Sequence, residues 1–198
     1  MMSGIDTNKV TGVILAGGQA RRMQNQDKGL VHYNGKPLIS YALHALTPVV
    51  GQVLISANRN VERYAQFGCP VLGDHLENFA GPLAGILSAM HYAKTPWLLV
   101  LPCDSPLVSS KHLQRLLQAC DAEVDITVAF DGERLHPVFM ALNTQLAPSL
   151  QAYLAAGERR LQLWLQQHRY RQVDFSDAPE AFINLNTLAE VAALEARA

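Results

Sequence analysis

Residues Val10 to Leu30 read VTGVILAGGQARRMQNQDKGL, and this stretch decides the fold. Val13-Ile14-Leu15-Ala16 is a short apolar run of the kind that makes a buried parallel strand. It breaks at Gly17-Gly18. Arg21, Arg22 and Lys28 follow within a few residues. A strand that ends in glycines leaves a run of bare backbone N–H groups, and such a nest binds anions. Gly17-Gly18 alone fits an ordinary strand-to-loop turn equally well. With two arginines and a lysine beside it, a polyphosphate site is the better reading.

Working outward, strand and helix patterns alternate. Leu38, Tyr41, Ala42 and Ala45 recur with helical spacing behind Pro37, and Pro48 stops the run. Val53 to Ser56 is a second strand, Asn60 to Phe67 a short helix closed by Gly68, and Pro70 to Leu72 a brief third strand. Leu83, Ile86, Leu87 and Met90 repeat as a helix behind Pro82. Trp97 to Leu101 is the most apolar run and reads as the central strand, ending at Pro102-Cys103-Asp104. A helix over Leu113 to Cys120 follows. Two β-rich runs, Asp125 to Phe130 and Pro137 to Leu142, form an antiparallel excursion. Helices over 148–155 and 160–168, an edge strand over 171–175, and a C-terminal helix opened by the capping box Thr187-Leu188-Ala189-Glu190 complete the chain. This alternation predicts an α/β, Rossmann-like three-layer domain with a mostly parallel sheet and helices on both faces. Residues 1–9 are expected to be disordered and 10–198 to form one domain.

Global composition excludes several classes. Hydrophobic residues make up 49% of the 198, too many for a disordered chain. The formal net charge of -1 offers nothing global to nucleic acid or to an anionic membrane, so anion binding must be local. The three cysteines, Cys69, Cys103 and Cys120, show no zinc or redox spacing. No signal-peptide pattern and no membrane-length apolar run is present, so the expectation is a soluble cytoplasmic protein.

In open α/β sheets, ligands sit beyond the carboxyl ends of the strands. That rule gathers Gly17, Gly18, Asn58, Arg59, Asp74 and Asp104. Asp104, ending the most apolar strand, suits a Mg²⁺ ligand, and a turn aspartate is the competing reading. Lys28 suits a phosphate as a point charge. Asp74 suits a nucleobase or ribose, or a turn. Gly81-Pro82-Leu83-Ala84-Gly85 lets backbone approach a flat ligand and aims a helix N-terminus at the site. The loops 131–137 and 157–160 suit an anionic second substrate or are solvated turns. His136 reads as a ligand or a turn residue. Asn184 and Asn186 read as ligand-facing amides or helix caps. The loop is neither a GxxxxGK[ST] P-loop nor a GxGxxG fingerprint.

Leu15-Ala16-Gly17-Gly18, Arg21-Arg22-Met23 and Asp27-Lys28-Gly29 together resemble the signature of nucleotidyltransferases with the nucleotide-diphosphosugar transferase fold. Asn34-Gly35-Lys36-Pro37-Leu38, Ala57-Asn58-Arg59, Gly81 to Gly85, Pro102-Cys103-Asp104, Asp131 to Arg134, Gly157 to Arg160, Val173-Asp174-Phe175 and Asn184 to Thr187 narrow the resemblance. They are similar to the molybdenum cofactor guanylyltransferases. The resemblance implies transfer of GMP from GTP to molybdenum-molybdopterin, with Mg²⁺ as cofactor and pyrophosphate as leaving group. By position it implies that Leu15, Ala16, Gly17, Gly18 and Lys28 hold GTP. It likewise implies that Asp74 contacts the nucleoside, Asp104 binds nucleotide and Mg²⁺, and Arg22 lies along the phosphates. The 131–136 loop, Arg159, Arg160, Asn184 and Asn186 would face the pterin.

Transient contacts with molybdopterin-handling proteins and acceptor molybdoenzymes or their chaperones are implied too. One departure stands at Ser56, where the family often has asparagine; that contact is lost, made through water or taken by Asn58. Three alternatives stay open. They are a cytidylyltransferase on the same cofactor, a non-catalytic cofactor-binding chaperone, and a sugar-phosphate nucleotidyltransferase.

Overall fold

The computed structural model describes residues 5–17, 27–73 and 81–197. Of the stretch 1–9, expected to be disordered, residues 5–9 are described. Asp6 caps a 3₁₀ turn, Thr7–Lys9, by accepting from Asn8 N, and Ile5 packs against the core.

Val10–Leu15 forms the first strand, β1, buried on both faces. A 3₁₀ turn at Lys28–Leu30 leads into a ribbon of two short strands, His32–Tyr33 (β2) and Lys36–Pro37 (β3). Asn34 and Gly35 close it with φ of 46° and 75°. Positive φ at both central residues is the hairpin turn that Asn-Gly favours. Strands of two residues are too short to show a period, which is why this stretch reads from sequence only as a turn.

Leu38–Leu46 (α1), Gln52–Ser56 (β4), Val61–Ala65 (α2) and Val71–Leu72 (β5) follow. Pro82–Tyr92 (α3), Trp97–Pro102 (β6), Ser110–Gln118 (α4), Ile126–Phe130 (β7) and Leu135–Asn143 (β8) come next. Ala147–Ala155 (α5), Leu161–Leu165 (α6), Tyr170–Asp174 (β9) and Leu188–Glu195 (α7) end the chain.

Seven strands make the main sheet, in the order β5-β4-β1-β6-β8-β7-β9. Only β8 runs against its neighbours, pairing antiparallel with β6 and with β7. This is the expected mostly parallel sheet with an antiparallel excursion. Alternation sorts the strand residues between two layers. Val10, Ile14, Leu99, Leu101, Phe139 and Ala141 face α1 and α4. Val13, Leu98, Val100, Met140 and Leu142 face α3, α5 and α6. Among the described residues no helix is long and apolar enough to cross a membrane.

After β1 the chain builds outward through β4 and β5, then returns to place β6 on the other side of β1. That reversal is the switch point where such sheets open a crevice. The register puts Leu15 opposite both Ser56 and Pro102, so three strands end level at one edge.

α7 docks on this edge through a third, smaller cluster containing Val31, Leu38, Leu185 and Val191. Its start is fixed by the capping box. Glu190 N donates to Thr187 Oγ1 at 3.1 Å, and Thr187 N donates to Glu190 Oε2 at 3.0 Å. Thr187→Ala is expected to cost about 1 kcal/mol, the usual value of an N-cap. Urea unfolding checks this as a lower midpoint at unchanged slope.

Candidate active site

A cavity of about 270 Å³ opens at the level strand ends. Leu15, Ser56 and Pro102 form its floor, and Gly81, Pro82 and Gly85 of the α3 start form one wall. Lys28, Asp104, Asn184 and Asn186 supply its polar groups, with Gly17 at the rim. A larger cleft of about 560 Å³ lies at the opposite, amino edge, around Thr11, Gln52, His91 and Lys94. Among the described residues no carboxylate lines it, and the strand carboxyl ends do not reach it. The smaller cavity is therefore the candidate site.

Asp104 lies two residues past the end of β6 and is 8% exposed. Its Oδ2 accepts from Lys28 Nζ at 3.1 Å. Its Oδ1 is buried and has no hydrogen-bond partner among the described residues. A buried carboxylate oxygen without a donor is costly, and the described side chains leave it open to a ligand, an ion or water. Lys28 Nζ also donates to Asn186 Oδ1 at 2.6 Å. The ammonium thus sits between a strand end and the segment before α7. Neighbouring bonds hold the frame, with Leu185 N donating to Asp104 O at 2.9 Å and Ser105 Oγ to Asn184 Oδ1 at 2.5 Å.

Sequence-predicted residues divide accordingly. Leu15, Gly17, Lys28 and Asp104 converge on the cavity, and Ala16 is buried beside it, its N–H donating to Ser56 O at 2.8 Å. A Cβ on Gly17 would find only Asn58 Nδ2, at 3.8 Å, so described neighbours do not crowd it and its bare backbone borders the cavity. Gly18, Arg21, Arg22 and Asp74 lie outside the described residues. Asn184 and Asn186, expected on the pterin side, line the same cavity as Lys28.

The two charged loops are internally bonded. Asp131 accepts from Glu133 N and Arg134 N at 2.8 Å each and pairs with His136 Nε2 at 2.6 Å. The Arg134 backbone bond, then the His136 bond, hold the Asp131 carboxyl well below the usual carboxylate range. His136 itself is buried, stacked on Phe182 at 5.0 Å. Arg159 Nη1 donates to the carbonyls of Leu154 and Glu158.

Gly85 acquires a reason that sequence did not offer. A Cβ there would stand 2.3 Å from Ser56 Oγ and 3.2 Å from Ser56 Cβ. The α3 start therefore packs straight on the end of β4. Gly85→Ala is expected to destabilise by about 1–3 kcal/mol through overpacking. Adding Ser56→Ala removes the hydroxyl that clashes and should restore most of the loss in chemical denaturation.

Comparison with known proteins narrows this geometry to one group. A family described as the MobA-like NTP transferase domain matches residues 12–173. The chain belongs to that family. A relative from Shewanella loihica, named molybdenum cofactor guanylyltransferase, is 47% identical over 180 residues, covering 90% of this chain and 92% of the relative. A protein of the same name from Vibrio vulnificus is 45% identical over 179 residues, covering 90% of this chain and 91% of its own. Among solved structures, molybdopterin-guanine dinucleotide biosynthesis protein A from Archaeoglobus fulgidus superposes with a TM-score of 0.79. That match has 20% identity and covers 94% of this chain and 97% of the other, so it speaks for the MobA-like fold alone.

Proposed function

We propose that this chain transfers GMP from GTP to molybdenum-molybdopterin, forming the guanine dinucleotide cofactor and releasing pyrophosphate. The observation that carries a transferase reading is the Lys28–Asp104 pair, set in the crevice beyond β1 and β6 with one carboxylate oxygen that has no partner among the described residues. The names of the near-full-length relatives narrow the transfer to guanylate.

The donor set fits Mg²⁺. This ion takes hard oxygen ligands, often one or two carboxylates plus substrate phosphates, and keeps several waters. Asp104 Oδ1 would hold it, and once bound the ion would offset negative charge on the phosphates. The protein's own groups do the rest. Gly17 and the α3 N-terminus present backbone toward an anion. Gly81, with φ of 107°, adopts a backbone shape open to glycine at that start. Lys28 places a compact positive charge at the cavity mouth, where the phosphates would lie.

The acceptor phosphate attacks the α-phosphorus, a new P–O bond forms, and the α–β bridging bond breaks with its electron pair leaving on pyrophosphate. The attacking oxygen is already anionic, so no general base is needed. Positioning and charge neutralisation supply the rate. Arg22 and Asp74 belong to the same proposal, along the phosphates and at the nucleoside respectively.

The reaction is placed in the cytoplasm, where GTP is available and thiols such as Cys103 stay reduced. Molybdopterin-handling proteins and acceptor molybdoenzymes or their chaperones would be met transiently. Incubation with Mg²⁺-GTP and molybdenum-molybdopterin tests the reading directly, and guanylate transfer with pyrophosphate release is expected. Transfer from CTP but not from GTP would overturn it.

A further inference from the structure

Asp27 and Lys28 are adjacent, yet their side chains are held by different parts of the fold. Lys28 reaches into the cavity. Asp27 is gripped by α2, a short helix with no atom lining that cavity. Asp27 Oδ1 accepts from the Tyr64 hydroxyl in a short hydrogen bond. Asp27 Oδ2 accepts from Asn60 Nδ2 at 3.0 Å. Tyr64 is completely buried among core residues of the α1/α4 layer. The turn itself rests on the phenol, since a Cβ on Gly29 would stand 2.6 Å from the Tyr64 hydroxyl oxygen. Leu30 N donates to Asp27 O and Val31 N to Lys28 O, so the backbone of the turn is closed as one unit.

We propose that Tyr64 is a positioning residue for guanylate transfer, acting through Asp27 to fix the turn from which Lys28 reaches Asp104 and Asn186. The inference rests on the guanylyltransferase reading and deepens it.

A lysine is a flexible stem carrying a point charge, and most of its cost in binding a phosphate is the entropy of holding it in place. Two restraints remove that freedom here. Asp104 and Asn186 hold the ammonium, and the Tyr64–Asp27–Asn60 cluster holds the backbone at the base of the stem. The cluster suits a permanent clamp. Burial pushes the Tyr64 hydroxyl well above the usual phenol range, so it keeps its proton and stays a donor. Asn60 holds a left-handed backbone, φ 52°, that aims its amide back at the turn. Preorganisation of this kind raises affinity without adding a contact to the ligand.

The test measures Mg²⁺-GTP binding by calorimetry for the whole protein, for Tyr64→Phe, for Lys28→Ala and for the double variant. Tyr64→Phe keeps the ring and its packing and removes only the hydroxyl. It is expected to weaken GTP binding about tenfold, the scale of one hydrogen bond to a charged group. In the Lys28→Ala background the same change should add less than about twofold, because the route to the ligand is already gone. A purely structural role would lower the thermal midpoint and leave the two losses independent. Equal binding by wild type and Tyr64→Phe, or fully additive losses, would overturn the proposal. If Tyr64→Phe does not fold, Asn60→Gly removes the other donor while accepting the left-handed backbone. It should weaken binding about threefold, again only with Lys28 present. A wild-type protein that bound no GTP would sink the guanylyltransferase reading itself, an outcome distinct from wild-type binding that Tyr64→Phe leaves intact.

Discussion

Asp104→Asn is expected to lower guanylate transfer by about three orders of magnitude, the upper range for removing one preorganised electrostatic group. The fold should tolerate it. Asparagine is the same size, its carbonyl can still accept from Lys28, and the backbone bond from Leu185 N to residue 104 is unaffected. What is lost is the anionic Oδ1, now buried with no partner among the described residues. Asparagine sets an amide nitrogen at the same position, so an unsatisfied group remains but its charge is gone; that saving offsets the weaker bond from Lys28, and stability should stay within about 1 kcal/mol of wild type. Near-constant stability with loss of turnover is the mark of a group kept for ligand rather than for folding. Steady-state rates with Mg²⁺-GTP, set beside thermal midpoints, check both halves. A variant that retained wild-type turnover would remove Asp104 from the metal role.

Lys28→Ala is expected to lower kcat/KM for GTP by about two orders of magnitude, through loss of a fixed cation at the phosphates. Unlike the Asp104 change, it should also destabilise. It leaves Asp104 Oδ2 and Asn186 Oδ1 without their shared donor. The pair is partly exposed, with side-chain accessibilities of 22% and 11%. Solvent therefore screens part of the loss, and about 1–2 kcal/mol is expected rather than the larger figure for a fully buried pair. Adding Asp104→Asn removes the stranded charge. The double variant should regain most of the stability and none of the activity. Lys28→Arg should rescue poorly, because a planar fork does not replace a compact ammonium held between two oxygens. Restored stability without Asp104→Asn, or additive losses in the double variant, would show that the two side chains do not act as a pair.

Much of this architecture is legible in the residues. Val13 to Leu15 and Trp97 to Leu101 are apolar without interruption because both strands are covered on two faces, and that pattern survives any change in loop geometry. Pro82, Thr187 and Glu190 mark helix starts by local rules, and the structure begins helices there. Lys28 and Asp104 also stand out, one beside a glycine loop and one at a strand end. Their neighbours do not. Asn186 presents two readings in sequence, cap or ligand, and in the fold its backbone N–H joins the capping box while its side chain holds Lys28. Tyr64 reads as an ordinary helix core residue, and only its buried hydroxyl reveals the tie to Asp27. Gly85 reads as a place for ligand, and its nearest neighbour is instead Ser56.

The hydrophobic period and the turn residues were enough to specify a mostly parallel three-layer sheet, because period and capping are local and each acts over a few residues. They also set a glycine-ended strand and an acid at one edge. Which side chains meet was settled by strand order and register. Lys28 lies 76 residues from Asp104 and 158 from Asn186, and no local rule spans such distances. Only the return of the chain from β5 across β1 to β6 sets Leu15 level with Pro102 and brings the three together. Hydrogen bonds and clashes are decided within a few tenths of an ångström, so the clamp on Asp27 and the contact of Gly85 with Ser56 exist only once packing has fixed those positions.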